Sequence, residues 1–184
     1  MRVITGEAKG RKLITVEGTD VVRPTGERVK EAIFSAVQFE IEGSVVLDLF
    51  AGSGQLGIEA ISRGARKCVF VDSAAVSINT IKQNLESTGL SDRAAVVHMP
   101  FTAFLKSAKD TFDIAFLDPP YRYKLVQKAL PVLCEKMADN GVIVCEHEKE
   151  CVLPSKVGKF TLVKLLTHGT VSVSIYRQVD EEEE

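Results

Sequence analysis

The sequence has no long apolar run and no cysteine pattern of the kind that binds zinc or forms a disulfide framework. None of its apolar stretches reaches the length of about 18 residues that a membrane-spanning helix needs, and the N-terminus lacks the basic and then apolar pattern of a secretory signal. Cys68, Cys134, Cys145 and Cys151 include no C-x-x-C pair. We therefore expect a cytoplasmic protein with reduced thiols, no membrane contact and no bound metal.

The chain also carries little net charge, −2 at neutral pH, which argues against a nucleic-acid-binding protein. The residues from Asp180 to Glu184 are all acidic, however, and without these five charges the net charge becomes +3. Residues 1–30 have seven lysines and arginines against four acids. The positive charge is therefore concentrated near the N-terminus, where it can meet phosphate groups. We expect the acidic tail, residues 180–184, to be disordered.

Six basic residues of the N-terminal region are candidates for phosphate contacts: Arg2, Lys9, Arg11, Lys12, Arg23 and Arg28. The alternative interpretation of each one, taken singly, is an ordinary charge on a solvated surface. Lys30 belongs to the same basic region. We expect an amphipathic helix that begins near residue 29 to cover the sheet and to present Arg23, Arg28 and Lys30 near a ligand cleft.

The central feature of the sequence is a glycine-rich turn that follows an apolar run at residues 45–49. Gly52, Gly54 and Gly57 have the spacing G-x-G-x-x-G, and Asp72 ends the next apolar run, 20 residues after the first of these glycines. This pattern is typical of a strand, a tight loop and a helix whose N-terminus faces a nucleotide-like ligand. The alternative is a glycine turn that only connects a strand to a helix.

A second motif indicates which kind of ligand is involved. The apolar residues 112–117 predict a buried strand that runs into Asp118, Pro119, Pro120 and Tyr121. The two prolines stiffen the backbone, so the Asp118 carboxylate and the Pro119 carbonyl become fixed hydrogen-bond acceptors beside an aromatic ring. Such a site can hold an amino group on a flat base, with Tyr121 against the face of the ring. A proline turn with a surface tyrosine is the alternative.

Apolar runs and helical patterns alternate along most of the chain, which predicts a parallel sheet with helices on both of its faces. We predict strands at residues 45–49, 67–71, 94–98, 112–117 and 141–145, with helices at 55–63, 75–87, 101–108 and 123–138. A terminal hairpin is predicted at 160–166 and 171–176, and an N-terminal hairpin at 2–16. The amphipathic helix that begins near residue 29 should be ended by Gly43.

Two sets of motifs resemble known enzymes. Asp48-Leu-Phe-Ala-Gly-Ser-Gly followed by Asp118-Pro-Pro-Tyr resembles the S-adenosylmethionine-dependent amino-methyltransferases. A narrower resemblance, to the RsmD family of bacterial 16S ribosomal RNA guanine-N2 methyltransferases, covers nearly the whole chain. It rests on Met1-Arg-Val-Ile-Thr-Gly, Gly10-Arg-Lys-Leu, Arg23-Pro-Thr, Leu56-Gly-Ile-Glu-Ala and Ser62-Arg-Gly-Ala.

The resemblance implies a class I, Rossmann-like α/β methyltransferase fold. Its sheet would have seven mostly parallel strands, with the last strand antiparallel, helices on both faces and a small N-terminal β-hairpin extension. The domains would be an RNA-contacting extension at 1–22, a methyltransferase domain at 23–179 and the acidic tail at 180–184. The cofactor would be S-adenosyl-L-methionine, with S-adenosylhomocysteine as product and no metal. The partner would be 16S ribosomal RNA or the assembling small ribosomal subunit, bound by a monomer.

The resemblance also implies the catalytic residues, which are Asp118, Pro119, Pro120 and Tyr121. The exocyclic N2 of guanine is a poor nucleophile because its lone pair is delocalised into the ring, so positioning supplies most of the catalysis. The Asp118 carboxylate and the Pro119 carbonyl accept the amino hydrogens and stabilise the positive charge that develops on nitrogen. Asp118 is also a candidate acceptor for the proton that leaves, and Tyr121 stacks on the flipped base.

For the cofactor, Asp72 is expected to accept the ribose hydroxyls, and the glycine loop to pack on the methionine portion. Asp48 either reaches the methionine ammonium or caps the loop that follows it. The family usually has an acidic residue after the third strand, but this chain has His98-Met-Pro-Phe there, so backbone groups and Phe101 would hold the adenine. The expected cofactor-binding residues are Asp48, Phe50, Gly52, Ser53, Gly54, Asp72, Ser73 and Phe101.

Three other functions compete with guanine-N2 methylation. Adenine-N6 methylation of DNA or RNA uses the same acceptors, because Asp118-Pro-Pro-Tyr can hold either amino group, and only the N-terminal motifs favour guanine. A nicotinamide-dependent oxidoreductase would use the same glycine pattern but would leave residues 118–121 unexplained. A nucleic-acid-binding module without catalysis is disfavoured, because the glycine loop and the acceptors are all present.

Overall fold

The computed structural model describes residues 1–16, 26–121 and 124–179. These residues form one eight-stranded sheet with the order β3-β2-β1-β4-β5-β8-β7-β6. The strands are β1 (Val45–Asp48), β2 (Lys67–Asp72), β3 (Ala94–His98), β4 (Phe112–Leu117), β5 (Met137–Glu148), β6 (Lys156–Val157), β7 (Phe160–His168) and β8 (Val171–Gln178). The helices are α1 (Glu27–Ala36), α2 (Gln55–Ser62), α3 (Ala75–Thr88), α4 (Phe101–Ser107) and α5 (Leu125–Leu133), with short 3-10 turns at Ser91–Arg93 and Cys134–Lys136.

The first five strands are parallel, and β8 lies antiparallel between β5 and β7. The predicted α/β class with a mostly parallel sheet and an antiparallel last strand is confirmed. The strand count is eight instead of seven, because the two-residue strand β6 pairs with the outer edge of β7. A strand of this length contains too few residues to show an alternating pattern, so the sequence gives no signal for it.

Two hydrophobic layers enclose the sheet. One layer packs α1, α2 and α3 against one face, with Phe34 and Phe116 in ring contact at 5.4 Å between centroids. The other packs α4 and α5 against the opposite face, where the Phe104 and Phe112 rings lie 6.3 Å apart. The central strands are buried on both faces, which explains why their sequences are continuous apolar runs and not alternating ones.

Helix α2 is buried along its whole length, because the N-terminal segment (residues 1–16) covers the side that faces away from the sheet. Glu59 of this helix is fully buried, and its carboxylate accepts hydrogen bonds from the backbone N–H groups of Ile4 and Thr5 at 2.8 and 2.9 Å. Ser62, one turn further on, donates its hydroxyl to the Thr5 carbonyl at 2.7 Å and accepts from the Ala8 N–H at 3.0 Å. The motif Leu56-Gly-Ile-Glu-Ala…Ser62 therefore holds the N-terminal segment in place.

The predicted N-terminal hairpin is shorter than expected. Within it, the structure has a single antiparallel bridge, between Arg2 and Lys12, and backbone hydrogen bonds join Val3 to Arg11 and Gly10. Other backbone groups of the segment pair with each other, as Leu13 does with Met1, or with side chains and backbone of α2 and α3. The segment is therefore a compact turn that depends on the main domain.

The position of the Lys30 side chain differs from the prediction. Its ammonium is buried, 2.9 Å from the Glu59 carboxylate, and it also donates to the Arg2 carbonyl at 2.9 Å. The expectation that α1 presents Lys30 near a ligand cleft is therefore wrong. Burial opposes the ionisation of Glu59, but the Lys30 ammonium and the Ile4 N–H outweigh burial and keep the pKa of Glu59 below its usual range.

Three predicted boundaries are also wrong. Helix α1 ends at Ala36, well before Gly43, because the backbone of Val37 leaves the helical region and the Arg177 guanidinium of β8 donates to the Ala36 carbonyl at 2.9 Å. Helix α5 ends at Leu133, and β5 begins at Met137 instead of at Gly141. A register shift against β4 lets these extra residues pair, although Asn140 has a positive φ of 64°.

Candidate active site

The acidic residues at the ends of three parallel strands meet at one edge of the sheet. Asp48 ends β1, Asp72 ends β2 and Asp118 follows β4, and all three line a single cleft of about 600 Å³, the main cleft. The strand order reverses between β1 and β4, and such switch points are where open α/β sheets bind ligands. The main cleft also contains most of the other expected cofactor-binding residues, namely Phe50, Gly52, Ser53, Ser73 and Phe101.

The glycine loop has the conformations that its three glycines permit. Gly54 precedes α2 in the left-handed region, with φ of 79°, and its N–H donates to the Ala51 carbonyl at 2.7 Å. Gly57 lies inside α2, where an added Cβ would be 2.3 Å from the ring of Phe70. Gly54 and Gly57 therefore shape the turn and allow α2 to approach β2, and neither is among the residues that line the main cleft.

Asp72 is held in a fixed orientation by two backbone donors. One carboxylate oxygen accepts from the Gly52 N–H and the other from the Ala74 N–H, each at 2.9 Å. A carboxylate offers about four acceptor positions, so these two bonds leave it able to accept from a pair of neighbouring hydroxyl groups. Asp72 therefore has the geometry of a diol acceptor at the edge of the main cleft.

Asp48 is almost completely buried, with 1% of its surface exposed, and accepts a hydrogen bond from the Gly57 N–H at 3.0 Å. Burial raises the pKa of Asp48 to about 7, although the Gly57 N–H opposes the shift and the nearby Asp72 adds to it. Asp48 therefore caps α2 and lines the main cleft at the same time. A cation in the main cleft would stabilise its ionised form.

Gln55, the first residue of α2, adds an acceptor that the sequence does not reveal. It lines the main cleft with 6% of its surface exposed, and its side-chain oxygen accepts no hydrogen bond from the described residues. A buried polar atom without a partner is costly, and in a binding site it indicates a donor on the ligand. Gln55 and Asp48 together give this end of the main cleft the character of an ammonium site.

The opposite end of the main cleft is apolar. The rings of Phe50 and Phe101 are 5.1 Å apart at 52°, and Met99, a residue that sequence reasoning missed, lines the cleft beside them. His98 is exposed at the end of β3, and its ring lies 3.1 Å from the Ser73 carbonyl. This end suits a flat aromatic ligand held by apolar contacts and by backbone groups.

The N-terminal segment forms part of the wall of the main cleft. Met1, Thr15 and Val16 line it, which the sequence did not predict. The buried side chain of Asn84 in α3 fixes this arrangement, since its amide exchanges hydrogen bonds with the backbone of Ile14 at 2.7 and 2.9 Å. The same amide nitrogen donates to the Ser53 carbonyl of the glycine loop at 2.9 Å.

The Asp-Pro-Pro-Tyr loop (residues 118–121) continues β4 at the rim of the main cleft. The Tyr121 hydroxyl donates to the Glu146 carboxylate of β5 at 3.1 Å. Burial, and then Glu146, raise the pKa of Tyr121. Glu146 is 3% exposed and was not predicted from the sequence, although a carboxylate directly after the apolar run that ends at Cys145 is the signal that could have indicated it.

Five of the six predicted phosphate-binding residues are exposed in the structure: Arg2, Lys9, Arg11, Lys12 and Arg28. Arg2 forms an ion pair with Glu27 at 3.1 Å. The sixth, Arg23, and the acidic tail at 180–184 lie outside the described residues. The described helices include none long and apolar enough to cross a membrane, and the described residues contain no cluster of three potential metal ligands.

The sheet order, the glycine loop and the acidic strand ends define a Rossmann-like methyltransferase fold. The chain belongs to the family described as conserved hypothetical protein 95, whose model matches residues 1–177.

Similar proteins support this placement. A Bacillus subtilis protein named as a candidate rRNA methyltransferase is 42% identical, over 97% of this chain and 99% of its own. The Haemophilus influenzae ribosomal RNA small subunit methyltransferase D is 39% identical, over 96% and 93%. A solved structure of an Escherichia coli protein superposes with a TM-score of 0.84 at 30% identity, over 97% of each chain.

A more distant solved structure shows the same fold with a ligand. An RNA methyltransferase from Salinibacter ruber, in complex with S-adenosyl-L-homocysteine, has a TM-score of 0.66 at 16% identity, over 88% of this chain and 97% of its own.

Proposed function

We propose that this protein transfers a methyl group from S-adenosyl-L-methionine to the exocyclic N2 of a guanine in 16S ribosomal RNA. The observation that carries the proposal is the position of the Asp-Pro-Pro-Tyr loop, whose Asp118 and Pro120 line the same cleft as Asp48 and Asp72. Fixed hydrogen-bond acceptors for an amino group therefore lie beside a cleft that suits a nucleoside carrying a charged amino acid portion. The names of its relatives, which include a small subunit rRNA methyltransferase, support rRNA as the substrate.

The main cleft fits S-adenosyl-L-methionine at three places. The ribose hydroxyls match the Asp72 carboxylate, and the amino acid ammonium matches Asp48 together with the unpartnered oxygen of Gln55. The adenine matches the apolar end formed by Phe50 and Phe101. When bound, the cofactor supplies an electrophilic methyl group on a sulfonium. The helix N-terminus of α2 and the glycine loop complete the site for the methionine portion.

The protein's own residues act on the acceptor base. The Asp118 carboxylate and the Pro119 carbonyl accept the two hydrogens of the amino group, which turns the nitrogen lone pair out of the ring plane. The same two acceptors stabilise positive charge on the nitrogen, and the Asp118 carboxylate takes the proton that the nitrogen loses. The Tyr121 ring stacks on the base, with its hydroxyl anchored by Glu146.

The exposed cations of the N-terminal segment are proposed to contact the RNA backbone. Arg11 and Lys12 lie in the turn that α2 holds against the main domain, and Arg28 lies in the first turn of α1. In this proposal residues 1–22 are the RNA-contacting extension of the methyltransferase domain. The substrate is 16S rRNA or the assembling small subunit, and the enzyme acts as a cytoplasmic monomer.

The test is methyl transfer from labelled S-adenosyl-L-methionine to 16S rRNA and to small-subunit particles, followed by digestion to nucleosides. We expect label in N2-methylguanosine. Label in N6-methyladenosine would replace the proposal with adenine methylation, which the Asp-Pro-Pro-Tyr loop also permits. Calorimetric titration with S-adenosylhomocysteine and NAD provides the second check. Binding of NAD without binding of S-adenosylhomocysteine would exclude methyl transfer and favour an oxidoreductase.

A further inference from the structure

A second cleft of about 410 Å³ lies beside the main cleft, and the proposed cofactor site does not use it. It is lined by Pro119, Tyr121, Lys124 and Glu146, among others. Pro120 and Leu125 line both clefts, so the Asp-Pro-Pro-Tyr loop separates them. A methyl donor in the main cleft and an acceptor base in the second cleft would therefore meet at this loop.

Glu146 lies beside Asp118 across neighbouring strands. Leu117, the last residue of β4, pairs with Cys145 of parallel β5, and the strand spacing at such a pair is about 4.8 Å. Asp118 and Glu146 are the residues that directly follow this pair in the chain. The Tyr121 hydroxyl donates to one oxygen of Glu146 and fixes the carboxylate. A carboxylate can accept several hydrogen bonds, so this contact is compatible with a ligand donor at the same group.

Two neighbouring carboxylates match the hydrogen-bonding edge of guanine and not that of adenine. Guanine has adjacent donors at N1 and at the exocyclic amino group, whereas adenine has an acceptor at N1. Asp118 lines the main cleft and Glu146 the second cleft. A base in the second cleft whose amino group reached Asp118 would therefore have its adjacent N1 position toward Glu146. A carboxylate there accepts from the N1–H of guanine but repels the N1 lone pair of adenine. The exposed Lys124 at the rim is available for the phosphate of the same nucleotide.

We propose that the second cleft holds the target guanine and that Glu146 accepts its N1–H, which makes Glu146 the residue that selects guanine over adenine. This inference rests on the proposed guanine-N2 methylation and adds to it a binding site for the base and a specificity-determining residue.

The test compares guanine with 2-aminopurine at the modified position of the RNA. 2-Aminopurine keeps the exocyclic amino group but has an acceptor at N1. The unchanged enzyme should methylate guanine at least about tenfold faster, in kcat/KM, because a hydrogen bond to a charged group is lost with the analogue. In Glu146→Gln the preference should fall to within about threefold, since the glutamine amide can donate to N1 of 2-aminopurine. Glu146→Asp keeps a carboxylate and should restore the preference.

Glu135→Gln is the matched control, because this exposed carboxylate precedes β5 at the opposite edge of the sheet. It should keep the guanine preference in full. An unchanged affinity for S-adenosylhomocysteine shows that each variant is folded. Equal rates on the two bases in the unchanged enzyme, or a full preference in Glu146→Gln, would overturn the inference. Failure of the proposed function is a distinct result, in which no variant produces N2-methylguanosine.

Discussion

The charge of Asp48 depends on its burial. Its pKa of about 7 means that the carboxyl is largely protonated below neutral pH in the ligand-free protein. A raised carboxyl pKa costs stability as the pH rises from the unfolded value toward 7, and binding of an ammonium group then favours the ionised form. Asp48 therefore lowers the stability of the ligand-free protein and increases its affinity for a bound cation.

We predict that the affinity for S-adenosylhomocysteine increases with pH up to about 7 and then levels off. Below that pH the dissociation constant should rise by up to about tenfold per pH unit, since one proton must leave before the ammonium binds. Calorimetric titration between pH 5.5 and 8 measures this. Asp48→Asn should weaken binding and remove the pH dependence. A pH dependence that persists in Asp48→Asn would assign it to another group.

Asp118→Ala separates chemistry from binding. The substitution removes one fixed acceptor but leaves the glycine loop and the N-terminal cations in place. Turnover should fall about a hundredfold or more, the scale of losing one preorganised polar group, while the affinities for S-adenosylhomocysteine and RNA stay nearly unchanged. Single-turnover methyl transfer measures the chemical step. Asp110→Ala, at an exposed position before β4, is the control and should keep normal turnover. A normal rate in Asp118→Ala would refute the mechanism.

At the scale of elements, Glu59 of α2 holds the N-terminal segment and α1 together. Its carboxylate accepts two backbone N–H groups and pairs with Lys30 and with Arg63, the latter at 2.8 Å. Because Lys30 is fully buried, a neutral residue in place of Glu59 would leave a buried ammonium without a partner charge.

We therefore predict that Glu59→Gln destabilises the protein by about 3 kcal/mol, as chemical denaturation at neutral pH would measure. The pKa of Glu59 is lowered in the folded protein, so the stabilisation by its charge is present above its unfolded pKa and is lost as the pH falls through the folded pKa. The difference between the original protein and Glu59→Gln should therefore shrink in acid. Glu86→Gln, on the exposed side of α3, should change stability little, and an equal loss there would count against the network.

The elements from β1 to β4 follow the predicted ranges to within one residue at each end, because strands buried on both faces show as continuous apolar runs between helical patterns. The missed boundaries depend on distant contacts. Arg177, far along the chain, donates to the last carbonyl of α1, and the pairing with β4 lengthens β5 through residues that have little strand propensity. The residues next to a boundary do not indicate such distant partners.

The residues of the site also divide into those that the sequence predicted and those that it did not. The acidic residues and glycines were predictable, since strand ends and turns have their own sequence patterns. Gln55 and Met99 were missed because nothing in the neighbouring sequence indicates that they face a cleft. Glu146 was missed although it directly follows an apolar run. The tertiary arrangement of β5 against β4 gives Glu146 its position beside Asp118.

At the scale of the whole molecule, positive and negative charges are separated along the chain although the net charge is small. Exposed cations lie in the N-terminal segment, and acidic residues end the sequence. If Arg11 and Lys12 meet phosphate, Arg11→Ala with Lys12→Ala should weaken RNA binding and reduce its log-log salt dependence by up to about two units. The affinity for S-adenosylhomocysteine should not change.

RNA binding over a range of salt concentrations measures this effect. Lys106→Ala with Lys109→Ala removes the same charge from exposed positions at the end of α4 and just beyond it, and serves as control. A salt dependence that falls equally in both double variants would indicate a general effect of net charge and not a contact made by the N-terminal segment.

Asn84 links the N-terminal segment to the glycine loop. One side chain bonds to Ile14 in the segment proposed to meet RNA and to Ser53 in the loop proposed to meet the cofactor. Two ligands that each order a part of one hydrogen-bonded unit are thermodynamically linked, and such linkage is reciprocal. Whatever factor RNA applies to cofactor affinity, the cofactor must apply to RNA affinity. The enzyme would then hold its substrate more or less tightly according to whether its methyl donor is loaded.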